Sequence, residues 1–179
     1  MSPGSATGRA PSDADDRRRR RVLWTLPTGL YLLATGVGPE RNLMTLSWAT
    51  QVATEPRALA VSVEDGARST ALLERDGVFA VVVLRRSERE WVRRFAKPAL
   101  VEAGDSEDPV LSGVPCRVGP LGLALPVGGA AWVACRVTAM HELGSHRLVV
   151  GAVDDADFGE AGEDFLVLRM EDTRMHYGG

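Results

Sequence analysis

The chain has 179 residues, 45% hydrophobic, 25% charged and 6% aromatic, proportions that suit one water-facing domain with a continuous core. A formal charge of −3 and a pI near 5.7 argue against wholesale electrostatic binding to nucleic acid. No apolar run approaches the roughly 20 residues that cross a bilayer, and the N-terminus lacks the apolar core of a secretory signal, so a cytoplasmic protein with no membrane partner is expected.

Residues 1–21, "MSPGSATGRAPSDADDRRRRR", have almost nothing to bury and are expected to form a disordered, arginine-rich arm ahead of a single domain over 22–179. Arg17 to Arg21 is the one block resembling a nucleic-acid tail. No aromatic residue interleaves with it to stack bases, so a solvated terminus is the plainer reading. Seven runs then read as strands: "GLYLLAT", "MTLSWATQV", "ALAVSV", "VFAVVVL", "AWVACRVTAM", "HRLVVGAV" and "FLVLRM". Gly, Pro and charged turns separate them, and so many short strands suggest a closed or nearly closed barrel.

The second run has two unlike faces. Met44, Leu46, Trp48 and Val52 fall on one side of a period-2 alternation, while Thr45, Ser47, Ala49 and Gln51 make the other side small and flat. Two helices are expected. The first follows "DGARS", with Ser69 as its cap and Gly77 as its stop; the second starts at Ser87, where "SERE" reads as a capping box with Glu90 at its third helical position, and buries Trp91, Val92 and Phe95. The proline- and glycine-rich stretch from Lys97 to Val127 reads as a long irregular excursion. In the last hairpin, Leu143, Gly144 and Ser145 form the turn and His146 opens the returning strand.

Two groups of residues invite a ligand. Arg68, Ser69 and Thr70 stand at a predicted helix start, where free backbone N–H groups and a fixed charge suit a phosphate, although an ordinary N-cap beside an arginine has the same appearance. The flat strip of Thr45, Ser47 and Ala49 could lie under a planar aromatic ligand, although an exposed strand face favours the same residues. His141, His146 and His176 with Glu142 make a poor zinc set, and Cys116 and Cys135 lack metal-ligand spacing; Cys135 in "AWVACRV" reads as a buried thiol. Neither G-x-G-x-x-G, G-x-x-x-x-G-K-[ST] nor G-x-S-x-G occurs, so a bound cofactor would have to supply the chemistry.

In order along the chain, "LPTGLYLLAT", "NLMTLSWATQVATEPRALAVSV", "STALLERDGVFAVVVL", "RRFA", "AWVACRV" and "GSHRLVVGAV" resemble the flavin reductase-like, FMN-binding split-barrel family. The resemblance covers about residues 23–155, and the closing "RMHYGG" is similar to the C-terminus of some flavoredoxin-like members. It implies a mostly β split barrel with a few short helices, a homodimer, and FMN or FAD held near the subunit interface. Asn42, Met44, Thr45, Ser47, Trp48 and Ala49 match the segment lining the isoalloxazine, and Ser62, Arg68, Ser69 and Thr70 match the region around the flavin phosphate. Phe95 and Lys97 match a helix end close to the cofactor, and His146 matches a hairpin histidine on the nicotinamide side.

The activity implied is hydride transfer from NADH or NADPH to the flavin, possible without any protein nucleophile, with a monooxygenase as one candidate recipient of the reduced flavin. Leu43 departs from the family's small residue, and the excursion from Lys97 to Val127 fits its pattern poorly. Two other readings stay open: a flavin-binding electron carrier or sensor without nicotinamide oxidation, and a binding module that uses the arginine arm.

Overall fold

The computed structural model describes residues 12–102, 108–159, 162 and 164–173. The first element is a helix, α1 (Asp13–Leu23), capped by the Ser12 side chain at Asp15 N, with aspartates in its first turn and arginines in its last. Residues 13–21, expected to be disordered, are therefore helical. None of the helix's residues is buried, so its support is local: the cap, the dipole-matched charges, and ion pairs of Arg18 with Asp15 and Arg20 with Asp16.

The strands follow as β1 (Tyr31–Thr35), β2 (Asn42–Leu46), β3 (Ala49–Thr54), β4 (Arg57–Glu64) and, after helix α2 (Arg68–Asp76), β5 (Val78–Val83). Helix α3 (Arg89–Arg94) leads into β6 (Val101–Glu102), β7 (Val110–Leu111), β8 (Val114–Val118) and β9 (Ala124–Pro126). A long hairpin, β10 (Ala131–Glu142) and β11 (His146–Phe158), completes the strands. Seven strands form one antiparallel sheet in the order β2-β1-β5-β10-β11-β4-β3, and β6 to β9 form a small second sheet. The excursion predicted to be irregular thus carries four short strands among its described residues. The predicted strand "FLVLRM" is not one: its residues make two isolated bridges, Arg85 with Val167 and Gly29 with Arg169.

The predicted strand over 44–52 is two strands. β2 and β3 occupy opposite edges of the large sheet, yet only Ser47 and Trp48 separate them in the chain. Three Cα steps reach at most about 11 Å, so the sheet must curl until its edges meet at this corner. No β2–β3 ladder is recorded among the described residues, so the observed sheet is curled but not closed by hydrogen bonds.

Curling gives the sheet an inner and an outer face, both buried. From β1, Leu33 joins an inner cluster with Leu46, Val61, Val63, Leu73, Phe79, Val81, Cys135 and Val149. Leu32 and Ala34 point the other way, joining Val78, Ala80, Val82, Val92, Phe95, Leu111, Val114 and Leu125 in an outer cluster. Burial on both faces explains why "VFAVVVL" is apolar throughout rather than alternating. Gly151 is required where the hairpin crosses this core: an added Cβ would stand 2.6 Å from the Phe79 ring and 2.9 Å from Cys135 Cβ.

Both helix starts differ from the expected ones. The N-cap of α2 is Ala67, which makes no side-chain cap, and Ser69 lies inside the helix; Gly77 ends it with φ +65°, as expected. Before α3 the chain makes a 3-10 turn over Arg86–Glu88, and the capping carboxylate is Glu88, not Glu90. Glu88 accepts from Arg85 N at 2.8 Å and Gly129 N at 2.7 Å, which ties the turn to the start of the hairpin. Val92 and Phe95 are buried as expected, and Trp91 is half-buried.

Candidate functional site

The predicted site residues divide by burial. Asn42, Thr45, Ser69, Thr70 and Phe95 are buried, and each uses its polar groups inside the protein. Asn42 Nδ2 donates to Ser69 Oγ at 3.0 Å, Thr35 Oγ1 donates to the same oxygen at 3.2 Å, and Asn42 Oδ1 accepts from Ala99 N at 2.9 Å. One asparagine thereby joins β2, α2 and the segment after α3. Thr45 Oγ1 donates to Val92 O at 2.8 Å and Thr45 N to Phe95 O at 2.9 Å, so the outer edge of β2 is covered by α3. Thr70 Oγ1 donates to Glu64 O at 2.8 Å, drawing the β4–α2 loop onto the helix. The flat strip is therefore not one open face: Thr45 is turned into the protein, and only Ser47 and Ala49 stay half-exposed at the corner.

The accessible residues gather at one end of β4. Ser62 N donates to Trp48 O at 3.0 Å, which fixes the corner against β4. Trp48, predicted for the apolar side, is 38% exposed because the chain turns at this residue, and Met44 is half-buried. Across the sheet, His146 pairs in register with Glu64, and its ring lies 5.0 Å from that of Trp48, tilted by 60°. The residues are 98 apart in the chain, so only the β4–β11 pairing brings them together. Ser145 Oγ lies 2.9 Å from His146 Nδ1, leaving Nε2 for another partner.

The β4–α2 loop continues this end of the sheet. Gly66 has φ +81°, and a Cβ added there would meet nothing within 4 Å, so the loop borders open space. Beyond it lies the N-terminus of α2, with no side-chain cap and with the exposed Arg68 on its first turn. Arg68 Nη1 is 3.4 Å from Ala99 O, which turns the guanidinium toward the segment carrying the exposed Lys97. Two cations and an uncapped helix start make a donor set suited to a phosphate.

Sequence reasoning missed Arg147. Its Nε donates to Asp65 Oδ1 at 2.8 Å, its Nη1 contacts Glu74 Oε1, and its side chain is only 22% exposed. An arginine among the apolar residues of "HRLVVGAV" was the signal available.

The other candidates do not assemble. His176 lies outside the described residues, and no group of three possible metal ligands occurs among those described. Burial pushes the thiols of Cys116 and Cys135 up to about 12, so both stay protonated and neither serves as a nucleophile near neutral pH. No helix among the described residues is long and apolar enough to cross a membrane.

A family model described as "Flavin reductase like domain" matches residues 23–177. A flavin reductase (NADH) of Kitasatospora aureofaciens is 35% identical over 150 residues, covering 80% of this chain and 73% of that one. The reductase component of 4-hydroxyphenylacetate 3-monooxygenase from Thermus thermophilus is 28% identical over 156 residues, 87% of this chain and 94% of that one. The solved NADH:FAD oxidoreductase SgcE6 of Streptomyces globisporus, in complex with NAD and FAD fragments, superposes with a TM-score of 0.73 at 25% identity, covering 96% of this chain and 98% of that one. With most of its length matched by the family model, the chain belongs to the flavin reductase-like family.

Proposed function

We propose that the chain is an NADH-dependent flavin reductase that reduces FMN or FAD, with the site at the Ser47–Trp48 corner and the N-terminus of α2. The observation that carries the reading is the ring pair of the exposed Trp48 with the half-buried His146, together with a helix start that has no side-chain cap and bears Arg68. The residues present fit a flavin. An open loop at Gly66 and the donor set of Arg68, Lys97 and the first-turn amides suit its phosphate, and the half-exposed Met44, Ser47 and Ala49 offer its ring a shallow floor.

A bound flavin would supply the chemistry, as acceptor of the hydride from NADH, so no side chain need act as a nucleophile. The protein binds and orients. Arg68 would hold the phosphate, Ser62 anchors the corner through Trp48 O, and His146, with Nδ1 occupied by Ser145, would offer Nε2 to the nicotinamide or its pyrophosphate. Asn42, Thr45, Ser69, Thr70 and Phe95 form the buried wall that keeps these parts in register. In this reading the curled sheet is a split barrel whose two edges meet at the corner, the active form is a homodimer, and the reduced flavin passes to an oxygenase component, as the name of the Thermus relative suggests.

The test is direct. Purified protein is mixed with FMN or FAD and NADH without oxygen, and absorbance is followed for flavin bleaching and nicotinamide oxidation. Rapid bleaching that depends on the protein is expected. Flavin binding without bleaching would make the protein an electron carrier or sensor instead.

A further inference from the structure

The hairpin that presents His146 is fastened to α2 by one side chain. Successive strand residues point to opposite faces, so His146 meets Trp48 while Arg147 reaches the other way. There its guanidinium joins three elements: Asp65 of the β4–α2 loop, Glu74 of α2, and, at 4.0 Å, Glu142 at the end of β10. A main-chain bond from Asp65 N to Ser145 O, 2.9 Å, runs beside this clamp.

A lone exposed ion pair contributes little, but here one largely covered guanidinium holds two carboxylates from different elements in a fixed fork. Asp65 is three residues from Arg68, and Arg147 is adjacent to His146. The clamp therefore spans the two halves of the proposed site, the phosphate end and the nicotinamide end. We propose that Arg147 is a positioning residue, holding the Trp48–His146 pair in register with the N-terminus of α2 and so setting the affinity for NADH. The proposal rests on the flavin reductase reading.

The experiment compares the full chain with its Arg147→Ala and Arg147→Lys variants, using FMN and NADH. Arg147→Ala is expected to raise the KM for NADH about fivefold while kcat and the Kd for FMN stay within about twofold. Arg147→Lys should recover only part of the loss, because an ammonium reaches one carboxylate but cannot reproduce the fork that holds both. An unchanged KM, or an FMN Kd that rises in step with KM, overturns the proposal. Should Arg147→Ala fail to fold, Asp65→Asn loosens the same clamp from the other side and is read by the same split. If the parent protein does not oxidise NADH with either flavin, the flavin reductase reading fails separately, and amide exchange over residues 142–148 decides the positioning role. Faster exchange there in Arg147→Ala, with the rest unchanged, supports it, and equal exchange overturns it.

Discussion

Arg68 and Ser69 are neighbours in sequence with opposite fates. Ser69 is fully buried, its hydroxyl accepting from Thr35 and Asn42, whereas Arg68 is exposed on the first turn of α2. A phosphate contact by Arg68 would be a charge-assisted bond worth roughly 1.5–3 kcal/mol, so Arg68→Ala should weaken FMN binding about tenfold or more. Riboflavin has no phosphate and should bind nearly as before. Flavin fluorescence titration with both ligands checks this, and parallel losses would place the role of Arg68 in folding. The sequence pattern identified which residues cluster at this helix start, but not their division of labour, because the partners of Ser69 lie 27 and 34 residues away.

At the scale of elements, sequence was most legible where one environment extends along a whole strand. "VFAVVVL" is buried on both faces and reads as a strand without help, and the turn at Leu143 to Ser145 placed His146 correctly. It was least legible where the chain changes sheet edge without changing pattern. "MTLSWATQV" keeps its alternation through the Ser47–Trp48 corner, so nothing local marks the break. Strands as short as Val101–Glu102 and Val110–Leu111 hold too few residues to show a period at all.

Two substitutions probe how these elements are packed and joined. Gly151→Ala forces a methyl into the Phe79 ring and Cys135, an overpacking that costs about 1–3 kcal/mol; urea unfolding should show a lower midpoint at unchanged slope. The second concerns the join between α2 and the turn after β1. The bond from Arg75, helped by Val37 N donating to Asp76 Oδ2, holds the Asp76 carboxyl below its ordinary 3.8. A depressed carboxyl stabilises the fold above its unfolded pKa, and that contribution disappears as pH falls through the lower folded value. Asp76→Asn should therefore cost stability at pH 7 and lose less than the parent protein between neutral pH and the region below about pH 4, as followed by thermal unfolding across that range.

The whole molecule leaves its two sheet edges in different states. The β2 edge is covered, since Thr45 N donates to Phe95 O and Asn42 holds Ala99. The β3 edge is open among the described residues, and Val52 on it is 51% exposed, close in sequence to Trp48 at 38%. Open strand edges and exposed apolar side chains are usually covered, and a second copy of the chain would cover both while shielding the proposed flavin site next to them. The homodimer of the proposed function is tested by light scattering on the eluting protein, where the expected mass is about twice 19.2 kDa. Val52→Arg puts a charge into the proposed contact without touching either core cluster, so it should release folded monomers and weaken flavin binding together. A parent protein that elutes at the monomer mass from micromolar to hundred-micromolar concentration, yet still reduces flavin, would show that one chain completes the site by itself.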